Sequence, residues 1–335
     1  MKKILLATSI LAATTGYAAA EVSLTGDARM GVVFDGEDVQ FSERARVRFN
    51  LSGQTDTGLE FGAAFRAHEA NDSQTGGFAS DVEDRESTVW ISGAFGQLEM
   101  GDVASAAEEA IGDLDGVGFS GLNDYSDIPY INGDGSTAIE QGPGALYSYT
   151  MSGFEFHLSM TDGNLGYGSD EDSDERTTAY AVAVAYQGDN YKVGLGYLDN
   201  GEYDENDGNY GGSQVILSGE TDVAGFAVKA YYASFDGVLD ELDGYGSDVD
   251  PELDHTIGLG VSYTFGATTV RGFARRDDLD NEVNGDDKLD TFGIGAIYDL
   301  GGGATINGGV VNTDRYTDED GDGETLADIG IKLAF

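Results

Sequence analysis

Apolar residues return at every second position in one segment after another of this chain. Val22, Leu24, Ala28, Met30 and Val32 share one parity, while Ser23, Thr25, Asp27 and Arg29 take the other. Leu59, Phe61, Ala63 and Phe65 alternate with Glu60, Gly62, Ala64 and Arg66 in the same way. So do Phe154, Phe156, Leu158 and Met160 with Glu155, His157 and Ser159. Later segments set Ile257, Leu259, Val261, Tyr263 and Phe265 against Gly258, Gly260, Ser262 and Thr264, and Ile329, Ile331, Leu333 and Phe335 against Gly330, Lys332 and Ala334. A period of two is the signature of β-strands, because successive side chains point to opposite faces. Each run is about 8–12 residues, long enough for a tilted strand to cross a bilayer.

The connections between these runs alternate between two kinds. Short ones are SGQTDTG (52–58), FGQ (95–97), SG (152–153), GDN (188–190) and FGAT (265–268). Long ones are acidic and glycine-rich, among them NDSQTGGFASDVED, TDGNLGYGSDEDSDER and DGVLDELDGYGSDVDPELD. Short turns at one end and long loops at the other describe an up-and-down antiparallel meander. Pairing strands between these markers predicts 16 of them, the even number that a closed barrel of this kind needs. No break in composition marks a second domain within 21–335.

The first 20 residues, MKKILLATSILAATTGYAAA, carry Lys2 and Lys3, an apolar run, and Ala18-Ala19-Ala20. They read as a secretory signal peptide (1–20) cleaved after Ala20. Residues 21–335 then carry a net charge of −47, and the chain has no cysteine. An exported chain without disulfides must be held by a large core or a closed hydrogen-bond ladder. Past residue 20 no apolar run reaches helical membrane-spanning length, but an alternating barrel strand escapes that test.

In a soluble sandwich the apolar row would be the core; in a membrane barrel it meets lipid and the polar row lines water. The barrel is favoured by Tyr and Phe near strand ends, where an interfacial girdle sits, and by the many Gly, Ala, Ser and Thr at the polar parity. On that assignment the stretch FSERARVRFNLSG (41–53) turns Arg44, Arg46 and Arg48 inward. Arg29 and Arg66, on the neighbouring segments, share their parity. The segment 102–144 holds no convincing strand, yet it contains Leu114, Val117, Phe119, Leu122, Tyr125, Ile128, Tyr130 and Ile131. That is too apolar for a disordered tail, so it should pack into the barrel. It also carries Glu108, Glu109, Asp113, Asp115, Asp124 and Asp127, and no Lys or Arg occurs from 86 to 175.

AFGQLEMGD (94–102) followed by this long segment resembles the general bacterial porins, as do the EVSLTGDARMG start at Glu21 and the terminal KLAF ending in Phe335. GVGFSGLND (116–124) and YINGDGST (130–137) are most similar to the Rhodobacter-type porins of alphaproteobacteria. The resemblance implies a 16-stranded antiparallel transmembrane β-barrel with an inward-folded, pore-constricting third loop (102–144). It also implies a homotrimer in the outer membrane and passive passage of small hydrophilic solutes. Arg29, Arg44, Arg46, Arg48 and Arg66 would form the basic wall of the constriction. Glu108, Glu109, Asp113, Asp115, Asp124 and Asp127 would form its acidic side. Opposed charges hold ordered water and orient dipolar solutes, and the excess of acid points to a weak cation preference. The bland alternative pairs some of these arginines with wall carboxylates such as Glu43 or Glu60. A substrate-specific channel is the alternative function.

DEDGDG (318–323) matches the first half of a calcium-binding loop, but position 12 is Ile329, so the full motif fails. No cofactor is required; Ca2+ is expected only as a structural ion on acidic loops, where it would also bridge to lipopolysaccharide. His68, His157 and His255 lie in different segments with no Ser/His/Asp spacing, so no enzyme is expected. The partners expected are lipid, lipopolysaccharide, solutes and further copies of the chain, and no nucleic acid.

Overall fold

The alternating segments form a single closed sheet. In a computed structural model, residues 21–70, 87–131, 144–161, 178–200, 212–239, 252–283, 286–317 and 323–335 are described. The signal segment 1–20, most of the long acidic loops, and Pro143 lie outside these residues. The strands are β1 (Glu21–Phe34), β2 (Val39–Gln54), β3 (Glu60–Ala70), β4 (Thr88–Gly93), β5 (Gly96–Gly101), β6 (Gly144–Met151), β7 (Phe154–Thr161) and β8 (Tyr180–Gln187). They continue as β9 (Tyr191–Asp199), β10 (Ser213–Val223), β11 (Phe226–Leu239), β12 (Glu252–Phe265), β13 (Thr268–Val283), β14 (Asp286–Gly301), β15 (Ala304–Thr317) and β16 (Gly323–Ala334). Each pairs antiparallel with its sequence neighbours, and β16 returns to β1, which leaves no edge. Closure satisfies every strand's ladder internally, as crossing a hydrocarbon layer demands. No helix among the described residues is long and apolar enough to cross a membrane; the strands do the crossing.

Two-residue turns close the short end. Ser152-Gly153 and Ala224-Gly225 have positive φ at both positions, 54° and 84° in one and 52° and 87° in the other. That backbone twist matches the twist of the flanking strands. Beside these turns the outer face carries an aromatic belt. Ring centroids lie 4.8 Å apart for Phe154–Tyr186, 6.2 Å for Tyr186–Tyr191 and 4.6 Å for Phe226–Tyr263. Above the belt, Leu217, Leu259, Ile294 and Ile329 are exposed outward. In water such a ring would be a liability; in lipid it is the solvated face.

The wall is uneven in height. β4 and β5 have six residues each, whereas β2, β13 and β14 have 16. The expected inward loop, 102–144, lies inside the barrel over its described residues 102–131, with 132–143 outside them, and it contains two elements that the sequence did not signal, a helix α1 (Ala106–Ile111) and a 3-10 segment (Gly121–Ser126). Ser105 caps α1, its hydroxyl accepting from Glu108 N at 3.2 Å, and Gly112 ends it at φ +64°.

The apolar core therefore lies inside the barrel. Ala106, Ala107, Ala110 and Ile111 of α1 are buried with Ala181, Ala183, Ala185 and Leu198 of the wall. Beyond α1 the loop follows a row of inner-wall glycines. A Cβ on Gly196 would lie 2.6 Å from Ala107 Cβ, and one on Gly194 would lie 2.8 Å from Ile111. Farther round, Leu114 covers Gly258, Val117 covers Gly295 and Gly309, and Phe119 fills the space between Gly31 and Gly330. The small inward residues thus do more than widen the lumen: several are sockets for loop side chains. Each large side chain fully buried this way contributes about 1.5–3 kcal/mol.

Candidate pore constriction

Strand register decides which charges meet. Arg44 on β2 stands opposite Arg29 on β1, Arg46 opposite Asp27, and Arg48 opposite Thr25. On the other side Arg48 faces Arg66 of β3. Barrel closure adds Lys332 of β16, directly across from Arg29. All five predicted arginines share the inner wall, and the row from Lys332 through Arg29 to Arg44 spans three strands.

The loop brings one carboxylate to this row. Burial raises the Asp124 carboxyl above its ordinary value, and the charges of Arg29, Arg44, Lys332 and Arg46 pull it back down. Asp124 therefore stands within electrostatic reach of the basic wall. A wall carboxylate also takes part, Asp27 Oδ2 lying 3.3 Å from Arg44 Nη2. Neither expected wall partner is found there: Glu43 has the outward parity of Phe41 and Val47 and is exposed, and Glu60 lies at the turn end of β3, opposite Gln54.

The other predicted acids are spread along the loop. Asp115 Oδ1 meets Arg271 Nη2 of β13 at 3.4 Å, a basic partner the sequence analysis did not single out. Asp113 Oδ1 accepts from Ile128 N at 2.8 Å and so ties the outgoing leg to the returning leg. Glu108 and Glu109 occupy the first turn of α1, where the helix dipole favours them. Asp127 is partly buried, and desolvation together with Asp113, Asp124 and Glu108 pushes its carboxyl up to about 8, against the charge of Arg275. Burial also raises the Tyr130 hydroxyl, whose proton is donated to Gly112 O at 3.0 Å.

Several wall residues hold the loop and were missed by sequence reasoning. Lys229 Nζ donates to the carbonyls of Ile111, Gly112 and Asp113 at 2.5, 2.9 and 2.8 Å, capping the C-terminus of α1. Arg275 Nη1 donates to Asp127 O at 2.9 Å while its Nε holds buried Asp277 at 2.8 Å. Gln214 brackets the returning leg, donating to Pro129 O at 2.8 Å and accepting from Ile131 N at 3.2 Å. Asn200 donates to Ile131 O at 2.6 Å. Inward parity was the only sequence signal any of them gave. On the turn side of the loop a cavity of about 330 Å3 is lined by Asp113, Asp115, Lys192, Glu220, Asp222 and Lys229.

The remaining candidates do not converge. His157 faces inward beside Ser148, their Nδ1 and Oγ atoms 2.9 Å apart, whereas His255 lies outside against Asp278 and Asp254. No group of three or more His, Cys, Asp or Glu side chains among the described residues could hold a metal ion. The DEDGDG stretch, apart from Gly323, falls outside them.

Comparison with known proteins agrees with this architecture. Residues 7–318 match the family model of the Gram-negative porins. A porin of Rhodobacter capsulatus is 42% identical over 327 residues, covering 94% of this chain and 100% of that one. A porin of Fuscovulum blasticum is 25% identical over 328 residues with the same coverage. A porin structure refined at 1.8 Å superposes with a TM-score of 0.76 at 40% identity, covering 94% of this chain and 100% of the other. A variant of Rh. blastica porin, at 22% identity and a TM-score of 0.68, shares the fold over the same coverage. A closed 16-stranded barrel with a lumenal loop, matched along most of its length by these relatives, belongs to the family of Gram-negative porins.

Proposed function

We propose that this outer-membrane diffusion pore passes small hydrophilic solutes and ions through an eyelet with a weak cation preference, and catalyses no reaction. The carrying observation is that the wall gathers Arg29, Arg44 and Arg46 on one inner face, within electrostatic reach of Asp124 from the loop. Opposite charges on two sides of an opening set up a field across it, which orders water and disfavours apolar solutes. The whole chain's charge of −45 concentrates cations at the mouths, and the arginine row limits that preference. Tyr231 and Phe273, aromatic residues of inward parity, are buried beneath the loop. They form no aromatic slide of the kind a sugar-specific channel would use.

The working unit is a homotrimer. β4–β9 have six to nine residues each; such strands extend about 20–30 Å, and at a tilt near 45° they rise only about 14–22 Å, against a lipid band of about 25 Å. The low wall β4–β9 therefore fits against neighbouring copies better than against lipid. Single-channel recording in a planar bilayer under a salt gradient tests the function. Large ohmic steps, often in threes, with a small cation-selective reversal potential support it. Small currents blocked by a single sugar or amino acid would replace it with a substrate-specific channel.

A further inference from the structure

We propose that Asp328 is the positioning residue that fixes the width and charge geometry of the pore, by fastening the loop turn Gly118–Ser120 to the β16–β1 wall. The proposal rests on the channel function above and assigns its aperture to one carboxylate. Asp328 projects inward from β16 and is buried. Its Oδ2 accepts three hydrogen bonds from the loop: Phe119 N at 2.9 Å, Ser120 N at 2.8 Å and Ser120 Oγ at 2.6 Å. Buried backbone N–H groups require an acceptor, and here one oxygen serves two of them with a hydroxyl besides. An ionised acceptor makes each of those bonds stronger than a neutral one would.

The surroundings are shaped for this contact. Gly118 has φ +85°, and a Cβ there would lie 2.4 Å from Asp328 Oδ1, so only glycine lets the turn approach the carboxylate. Phe119 is fully buried. Its ring would collide with a Cβ on Gly31 at 2.6 Å or on Gly330 at 2.8 Å, so both glycines form its socket. Arg29 Nη1 completes the attachment by donating to Phe119 O at 3.2 Å.

This point lies far from where the loop leaves the sheet at Gly101 on β5. Asp124 follows the turn within the 3-10 segment that Ser120 caps. The fastening therefore sets how far the loop reaches across the lumen and where its carboxylate stands relative to Arg29, Arg44 and Arg46. Every hydrogen bond that Asp328 Oδ2 accepts comes from the loop and none from the neighbouring arginines, while Oδ1 is buried with no hydrogen-bond partner, so its part is to position.

The test compares the full-length wild type with D328A, D328N, S120A and F119A in planar bilayers and in liposome swelling with a small and a large neutral sugar. Folding is checked by heat-modifiable mobility. D328A and F119A should raise open-channel conductance about two-fold with added flicker, since a wider, less fixed opening conducts more. The large-to-small sugar ratio should rise with it, a change that uniform loss of stability would not produce. S120A should move the same way by less, and D328N, which keeps one acceptor without the charge, should fall between wild type and D328A. If D328A does not fold, the loop-side variants S120A and F119A decide, because they leave the strand ladder intact. Folded variants with wild-type conductance, noise and sugar ratio would overturn the assignment while leaving the channel function standing. A wild-type protein that conducts nothing would sink the channel function first.

Discussion

Arg29 on β1 stands directly across the ladder from Arg44 on β2. Like charges placed opposite each other on neighbouring strands cost stability. A second such pair, Arg48 and Arg66, lies one strand over. Rule-breaking placements of this sort concentrate where function requires them, and here they line the lumen beside Asp124.

Replacing Arg44, Arg46 and Arg48 together with Ser should raise the cation-to-anion permeability ratio several-fold, about what removing three lumenal charges from a narrow opening does. D124N should move it the opposite way. Reversal potentials under a salt gradient measure both, and variants that left the potential unchanged would remove these residues from the constriction.

Asp127 predicts a pH dependence whose sign follows from its raised carboxyl, at about 8. Below pH 8 the folded loop holds it protonated, while in the unfolded chain it ionises near the ordinary carboxylate value. Its contribution to loop docking is therefore present at low pH and lost as pH rises toward 8, where the pore also gains a negative charge. Cation preference should increase between pH 7 and 9 in wild type and stay flat in D127N. Bilayer recordings across that range check it.

Removing the Lys229 cap should loosen α1. A charged hydrogen bond contributes about 1.5–3 kcal/mol, so K229M should speed amide exchange across 106–113 by one to two orders of magnitude, about the factor that energy implies. Equal exchange in the two proteins would show that the three carbonyl contacts carry no stability.

Filling a wall socket should push the loop inward. With Ala107 only 2.6 Å from a Cβ on Gly196, G196V must displace α1 toward the lumen or distort β9. Conductance should fall by about half in a folded barrel, a change opposite in sign to that of the Asp328 variants, as expected if opening size sets the current.

The low wall predicts an oligomer that a pair of buried charges can break. Leu98 and Leu158 are exposed on the outer face of β5 and β7. L98D with L158D would bury unpaired charges between copies, costing several kcal/mol per interface. Sedimentation in detergent should shift from trimer to monomer with the barrel intact, and an unchanged mass would show that this wall is not the contact.

The period of two by itself determined the strands and their two faces, because side-chain direction in a strand is a local property that needs no knowledge of neighbours; the alternation of short and long connections gave their number. That is why the parity of Arg29, Arg44, Arg46, Arg48 and Arg66 could be read directly, while the apolar content of 102–144 implied inward packing. Which residues meet was settled only by closure and by the route of the loop. Lys332 joins Arg29 because β16 returns to β1, and Arg271 meets Asp115 because the loop crosses β13. Six acids in one loop looked equivalent in sequence, yet one stands within electrostatic reach of the arginine row, one faces Arg271, and Asp113 ties the loop to itself. Nothing local distinguishes Asp328 from any other inward carboxylate. Its role arises from contact with residues more than 200 positions away, and contacts of that kind exist only once the chain has closed on itself.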